Sequence, residues 1–175
     1  FGYSLEEVTF QNAQGVRNDK KAKAILPGGP SGKFVIPEKF SVPLDFETFE
    51  AEGLILGSGS LVLLDEDSCP INLAGHLMEF MQKESCGKCI PCREGTKRMA
   101  GIMQMVTRRL GQEKEHDTLH RFKGVTQLSQ MAQVISETSL CGLGKGASNP
   151  IISALEHFRD EFEEHVFDRV CPAGV

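Results

Sequence analysis

The sequence contains no tryptophan and only one tyrosine, and no apolar stretch approaches the ~20 residues that a membrane-spanning helix requires. No signal peptide opens the chain, and its first residue, Phe1, is not methionine, so it reads as a piece of a longer polypeptide. It has no block of lysine or arginine, and its formal net charge of -5 argues against a nucleic-acid surface. A Gly-x-Gly-x-x-Gly run of the dinucleotide-binding kind is missing. Neither a Ser/His/Asp constellation nor a suited pair of carboxylates stands out, and no catalytic residue is assigned. The chain is also too long and too poor in loops for a disulfide scaffold. Its 6 cysteines therefore point to a reducing compartment, the cytoplasm, and to metal ligation.

With 175 residues, 40% of them hydrophobic and 25% charged, the chain can bury a real core in one ordinary domain or two small ones. Residues 1–66 lean towards strand. Ser4 is placed to cap a short helix reaching Phe10, with Leu5 and Val8 on one face. Ala22–Leu26 and Lys33–Ile36 read as two strands joined by the loop Pro27-Gly28-Gly29-Pro30-Ser31-Gly32. That loop reads foremost as a hairpin connection whose glycines supply positive φ, and less strongly as a surface meeting a ligand or neighbour. Phe46 and Phe49, at i and i+3 in Leu44–Glu50, predict a short helix docked on the strands, and Ser60–Leu64 predicts a buried strand. These features together suggest a small α+β sheet domain.

Residues 67–175 have helical character. Asp67 or Ser68 is placed to cap a helix with Pro70 in its first turn and Ile71, Leu77, Met78 and Met81 on its apolar side. A second helix is expected after Gly95, through Met99, Ile102, Met103, Val106 and Leu110, ending at Gly111. Gln112–Asp117 reads as a loop, Leu119 and Phe122 as part of a short turn, and Val125–Glu137 as a third helix. After a glycine-rich loop over Ser139–Ala147, a last helix starts at Pro150 and turns Ile151, Leu155, Phe158 and Phe162 inward. Four helices with short links predict a small bundle. The methionines at 78, 81, 99, 103, 105 and 131 follow its apolar positions and predict packing.

The chemistry is concentrated in Glu84-Ser85-Cys86-Gly87-Lys88-Cys89-Ile90-Pro91-Cys92-Arg93-Glu94-Gly95. Three cysteines separated by two residues each can turn their sulfurs towards one point, and Gly87 lets the backbone come close. A fourth thiolate must come from Cys69, Cys141 or Cys171. Cys141 is the best placed, because the glycines around it free backbone N–H groups to face sulfur. Cys69, at a helix start, reads as a small packing residue, and Cys171 lies beyond the last helix. Three tandem cysteines and a remote fourth are the habit of a [4Fe–4S] cluster, whereas structural zinc takes its ligands in pairs. A zinc-stapled structural or docking module is the alternative. Position 96 is threonine where a ferredoxin run would carry another cysteine, so a single cluster is expected. Arg93, more than Lys88 or Lys145, is a candidate to offset cluster charge. Gly144-Lys145-Gly146 fails as a phosphate loop for want of a following Ser/Thr. His116 and His120 read as solvated, and His157 and His165 as poor ligand candidates.

Glu84-Ser85-Cys86-Gly87-Lys88-Cys89-x-Pro91-Cys92-Arg93-Glu94-Gly95-Thr96, together with Ser139-Leu140-Cys141-x-x-Gly144, resembles the NADH-binding flavoprotein subunit of respiratory complex I. Its relatives in NAD-linked hydrogenases and formate dehydrogenases carry the same pattern. Upstream, Gly28-Gly29-Pro30-Ser31-Gly32 and Gly57-Ser58-Gly59 resemble that family's soluble-ligand-binding β-grasp domain. The resemblance implies an α+β chain: a β-grasp domain over 1–66 and a four-helix-bundle-like iron–sulfur domain over 67–175. It carries the cluster ligands over to Cys86, Cys89, Cys92 and Cys141. It also implies an electron-relay fragment of an NADH:acceptor oxidoreductase, with FMN and NADH bound on an N-terminal domain outside this chain. The implied partners are other electron-transfer subunits, a [2Fe–2S] thioredoxin-like one and a larger iron–sulfur one, without nucleic acid or direct membrane insertion. The long stretch between Cys92 and Cys141 departs from the respiratory pattern, and Cys171-Pro172-Ala173-Gly174 resembles the start of a ferredoxin-like extension in hydrogenase-type relatives. Both lean towards a hydrogenase-linked parent.

Overall fold

A computed structural model describes residues 2–108 and 117–174. The chain is α+β and divides into two compact units, Phe1–Ser68 and Cys69–Val175. The expected helix end at Leu110 and Gly111, the loop from Gln112 and His116 lie outside the described residues.

In the first unit, Ser4 and Glu7 cap each other. Glu7 N–H donates to Ser4 Oγ at 3.1 Å and Ser4 N–H to Glu7 Oε2 at 2.7 Å, satisfying two donors at the head of the helical turn. The turn runs on as a π-helix over Glu7–Asn12, past the expected end at Phe10. Strand β1 (Ala22–Pro27) pairs antiparallel with β2 (Leu61–Asp65), with an irregularity between Ala22 and Ala24. The expected Lys33–Ile36 strand is reduced to one bridge, Ile25 with Val35. The chain turns back sharply because Gly28 and Gly57 touch backbone to backbone: a Cβ on Gly57 would fall 2.2 Å from Gly28 O. Glycine is required at that crossing. Only Leu64 of β2 is fully buried, and Val62 is exposed, so this strand is less enclosed than its apolar run suggests.

Helix α1 (Phe46–Ala51) is capped by Asp45, whose carboxylate accepts Thr48 N–H at 2.7 Å. The expectation that both phenylalanines dock is corrected: Phe49 is 1% exposed and joins the core of Leu5, Ile25, Val35, Phe40 and Leu54, while Phe46 is 65% exposed.

In the second unit, α2 (Pro70–Glu84), α3 (Ile90–Val106), α4 (Asp117–Thr138) and α6 (Asn149–His157) pack as a ring, α2 on α3 and α6, and α4 on α3 and α6. Between α4 and α6 the short helix α5 (Gly142–Gly146) follows Cys141, and α7 (Arg159–Glu163) follows α6. Cys69 caps α2, its sulfur accepting Asn72 N–H at 3.3 Å, in place of the expected Asp67 or Ser68. Helix α3 begins inside the cysteine run rather than after Gly95. Cys92, Thr96, Met99, Met103 and Val106 form one buried stripe along it. Each fully buried Met or Val is worth about 1.5–3 kcal/mol, which outweighs the ~1 kcal/mol propensity cost of a helical glycine such as Gly95 or Gly101. Gly95 is moreover filled by Ile135 of α4, which a Cβ there would meet at 2.5 Å.

The separate turn at Leu119 and Phe122 and the helix over Val125–Glu137 merge into one helix, α4, in which Gly124 admits Ile102 of α3. The last helix, expected to be continuous, breaks at Phe158 (φ -127, ψ 41) between α6 and α7. A π-helical turn over Glu164–Asp168 then buries His165 and Val166. Among the described residues no helix is long and apolar enough to cross a membrane.

Phe49→Ala is expected to destabilise the first unit by about 3–5 kcal/mol and Phe46→Ala by less than about 0.5 kcal/mol. Urea unfolding of the two variants checks this, and equal losses would contradict the placement of the core.

Candidate iron–sulfur site

The site is built at the start of α3. Ser85 closes α2, and its hydroxyl lies 3.3 Å from Cys92 Sγ and 3.4 Å from Gly87 N. Gly87 takes φ 75, a left-handed turn between the first two cysteines. Arg93 reaches back to hold that turn, donating from Nη1 to Gly87 O at 3.0 Å, while its Nε pairs with Glu94. Its visible role is thus to brace the loop. Lys88 and Lys145 are exposed. Pro91 occupies the first turn of α3, where its missing N–H leaves no helical bond unmade. Cys92 points inward with the stripe that anchors α3, and Thr96, fully buried, bonds to Cys92 O at 2.7 Å.

The remote segment comes to the same place. The backbone N–H of Leu140 is the foremost cause that holds the Cys89 thiol below its ordinary range. The N–H groups of Cys92 and Cys89 and the Ser139 hydroxyl act in the same sense, against partial desolvation. Ser139 Oγ is buried without an aligned hydrogen bond among the described residues, although it stands near enough to Cys89 to favour the thiolate. On the other side of Cys141, Gly144 is wedged against the run. A Cβ there would fall 2.5 Å from the Ser139 side chain and 3.1 Å from Cys92 Cβ. Both flanks of Cys141 therefore touch Cys89 or Cys92. Cys86 and Cys141 are exposed, Cys89 is half-buried and Cys92 is buried.

This donor set fits an iron–sulfur cluster. The cysteines contribute sulfur alone, at least one of them is biased towards thiolate by backbone N–H groups, and an underbonded hydroxyl faces the same sulfur. Ser85, Thr96 and Ser139 are supporting residues that the cysteine pattern did not single out. Their common signal was adjacency to the motif or, for Thr96, one helical turn beyond Cys92. Ile90, Val134 and Leu140 are exposed apolar side chains, and Ile90 and Val134 line one surface cavity beside Pro91 and Gly95.

Gly144→Ala is expected to force Ser139 or Cys92 to move, costing about 1–3 kcal/mol and lowering cluster retention, whereas Gly142→Ala meets open space. Iron content and thermal stability of the two variants after identical anaerobic reconstitution decide the matter. Equal retention would show that Gly144 is dispensable.

Residues 72–165 match the NADH-ubiquinone oxidoreductase-F iron-sulfur binding region. The HndC component of the NADP-reducing hydrogenase of Solidesulfovibrio fructosivorans is 38% identical over 174 residues, 99% of this chain and 34% of the relative. The F 2 component of NADH-quinone oxidoreductase from Rhizobium meliloti (strain 1021) is 37% identical over 172 residues, 98% of this chain and 38% of the relative. The chain thus spans about a third of the length of these relatives. Among solved structures, the NAD+-reducing [NiFe]-hydrogenase in the air-oxidized state superposes with a TM-score of 0.74 at 27% identity, over 95% of this chain and 26% of that one. With more than half of its residues matched, the chain belongs to the NADH-ubiquinone oxidoreductase-F iron-sulfur binding region family.

Proposed function

We propose that this chain is the electron-transfer part of an NADH:acceptor oxidoreductase, relaying electrons from FMN through one [4Fe–4S] cluster held by Cys86, Cys89, Cys92 and Cys141. The observation that carries the reading is the contact of Ser139–Leu140 and Gly144, on either side of Cys141, with Cys89 and Cys92. The cluster would supply reversible one-electron transfer. The residues of this chain keep its ligands in place: Ser85 and Arg93 fix the tandem loop, Thr96 fixes the turn that bears Cys92, and the Leu140 N–H stabilises negative charge on Cys89.

FMN and NADH are read as cofactors of the parent protein that this chain does not itself bind. The parent is an NADH dehydrogenase or an NAD-linked hydrogenase subunit. Residues 1–66 are read as a β-grasp domain of soluble-ligand-binding type, and 67–175 as the cluster domain. The exposed rim of Ile90, Val134 and Leu140 supports close approach of a redox partner, either a [2Fe–2S] thioredoxin-like subunit or a larger iron–sulfur subunit. The reading places the chain in the cytoplasm or at the periphery of a membrane complex.

Anaerobically purified chain is expected to be brown, to contain iron and acid-labile sulfide in equal amounts, and to develop a paramagnetic signal on reduction. Cys→Ser at 86, 89, 92 or 141 should each lower iron content, while the same change at 69 should not. A colourless chain without iron or sulfide under these conditions would overturn the proposal. Zinc captured after aerobic expression decides nothing, since thiolates left by a lost cluster bind it readily.

A further inference from the structure

Away from the cysteine run, the second unit brings together three groups to which the sequence pattern assigns no chemistry. Cys69 Sγ lies 3.6 Å from Nε2 of His165, and the ligand atoms of Cys69, His165 and Cys171 all lie within 4.8 Å of one another. Cys69 and His165 are buried and Cys171 is half-buried, so His165 is not the poor candidate that its polar helix suggested. Its Nδ1 stands 2.7 Å from the backbone oxygen of Glu161, which can only accept. Nδ1 is therefore the donor in that bond, and Nε2 is the ring nitrogen that faces the cysteine. A ligating histidine is ordinarily oriented by such a bond from its other nitrogen.

The backbone around these groups is held by further contacts. Cys69 caps the 15-residue α2, where Asn72 N–H already points at its sulfur. His165 lies in a π-helical turn, a distortion frequent at functional sites, and its carbonyl accepts Arg121 Nη1 at 2.8 Å. Arg169 then adopts a left-handed conformation, φ 58, and its guanidinium donates to Thr118 Oγ1 at 2.7 and 3.2 Å. That bend returns the chain so that Cys171 faces Cys69.

We propose that Cys69, His165 and Cys171 form a second metal site, which takes a zinc ion and clamps the C-terminal segment onto the start of α2. Two thiolates and one imidazole suit a tetrahedral zinc ion and leave one position for a water or another small ligand. The two thiolate charges neutralise the ion, so a buried site carries no net charge. His165 and Cys171 also line a cavity of about 230 Å³, ample for a water. With no carboxylate in the group, magnesium and calcium are poor occupants. The rival arrangement, a Cys69–Cys171 disulfide, would leave the oriented Nε2 of His165 without a task.

The test uses the full chain with its iron–sulfur cluster reconstituted anaerobically in reductant, then titrated with zinc or with cobalt as a visible probe. The expected result is about one zinc per chain in addition to iron and sulfide, and thiolate-to-cobalt charge-transfer absorption with cobalt. His165→Gln and Cys171→Ser should each weaken zinc binding at least ~tenfold while leaving iron and sulfide unchanged. A cluster-loaded chain that takes up no zinc would overturn the proposal, and so would unaltered affinity in both variants. Because the unsubstituted chain is itself decisive, a variant that fails to fold leaves the test intact. The cluster reading is judged separately, on iron and sulfide.

Discussion

Backbone N–H groups that approach a cysteine sulfur favour its thiolate, and at the head of α3 two distant segments of the second unit meet to supply them. The Cys89 sulfur is served by N–H groups of two segments far apart in sequence, its own helix start and Leu140. Bringing Leu140 there requires α4 to end beside the start of α3. That close approach is secured by Ile135 filling the space over Gly95 and by Gly144 seated on Cys92 and Ser139. Neither glycine is there to loosen the chain. Each marks a contact in which a methyl group would occupy space already taken by a neighbour.

The cysteine run stood out because tandem spacing of three sulfurs is not a packing pattern, although Cys92 itself joins the buried stripe of α3 while Cys86 stays exposed. The amphipathic helices were legible for the opposite reason: Met99, Met103 and Val106 repeat with the helical period and are buried as that period requires. What escaped was decided by partners distant in sequence. The helix expected only after Gly95 begins before it, and Gly95 and Gly124 each lie under an isoleucine of a neighbouring helix, so the helices run through them. Phe46 and Phe49 have equivalent spacing signals, and only the docking of α1 separates them. The burial of His165 depends on a π-helical turn and on a break at Phe158 that local composition does not announce.

The supporting hydroxyls show the same limit at the scale of the site. Ser85, Thr96 and Ser139 stand within the motif that carries the family resemblance, but that motif assigns them no chemical role. Their roles emerge once α2, α3 and the loop before α5 are assembled, because each then finds itself beside a cysteine of the run. Arg93 illustrates the converse. Its charge suggested an electrostatic function, whereas its guanidinium is committed to the Gly87 carbonyl and the Glu94 carboxylate, and so acts mainly on loop geometry.

The two sulfur sites are linked through α2, and this bears on which cysteine completes the cluster. Cys69 caps the first turn of α2, and Ser85 ends it against Cys92. A helix of 15 residues spans about 22 Å, so Cys69 stands a whole helix length from the tandem run. Cys171 accompanies Cys69 at that far end, grouped with His165. Of the three candidates for a fourth ligand, two are therefore held away from the run by a rigid element, and Cys141 alone has neighbours on both sides in contact with it.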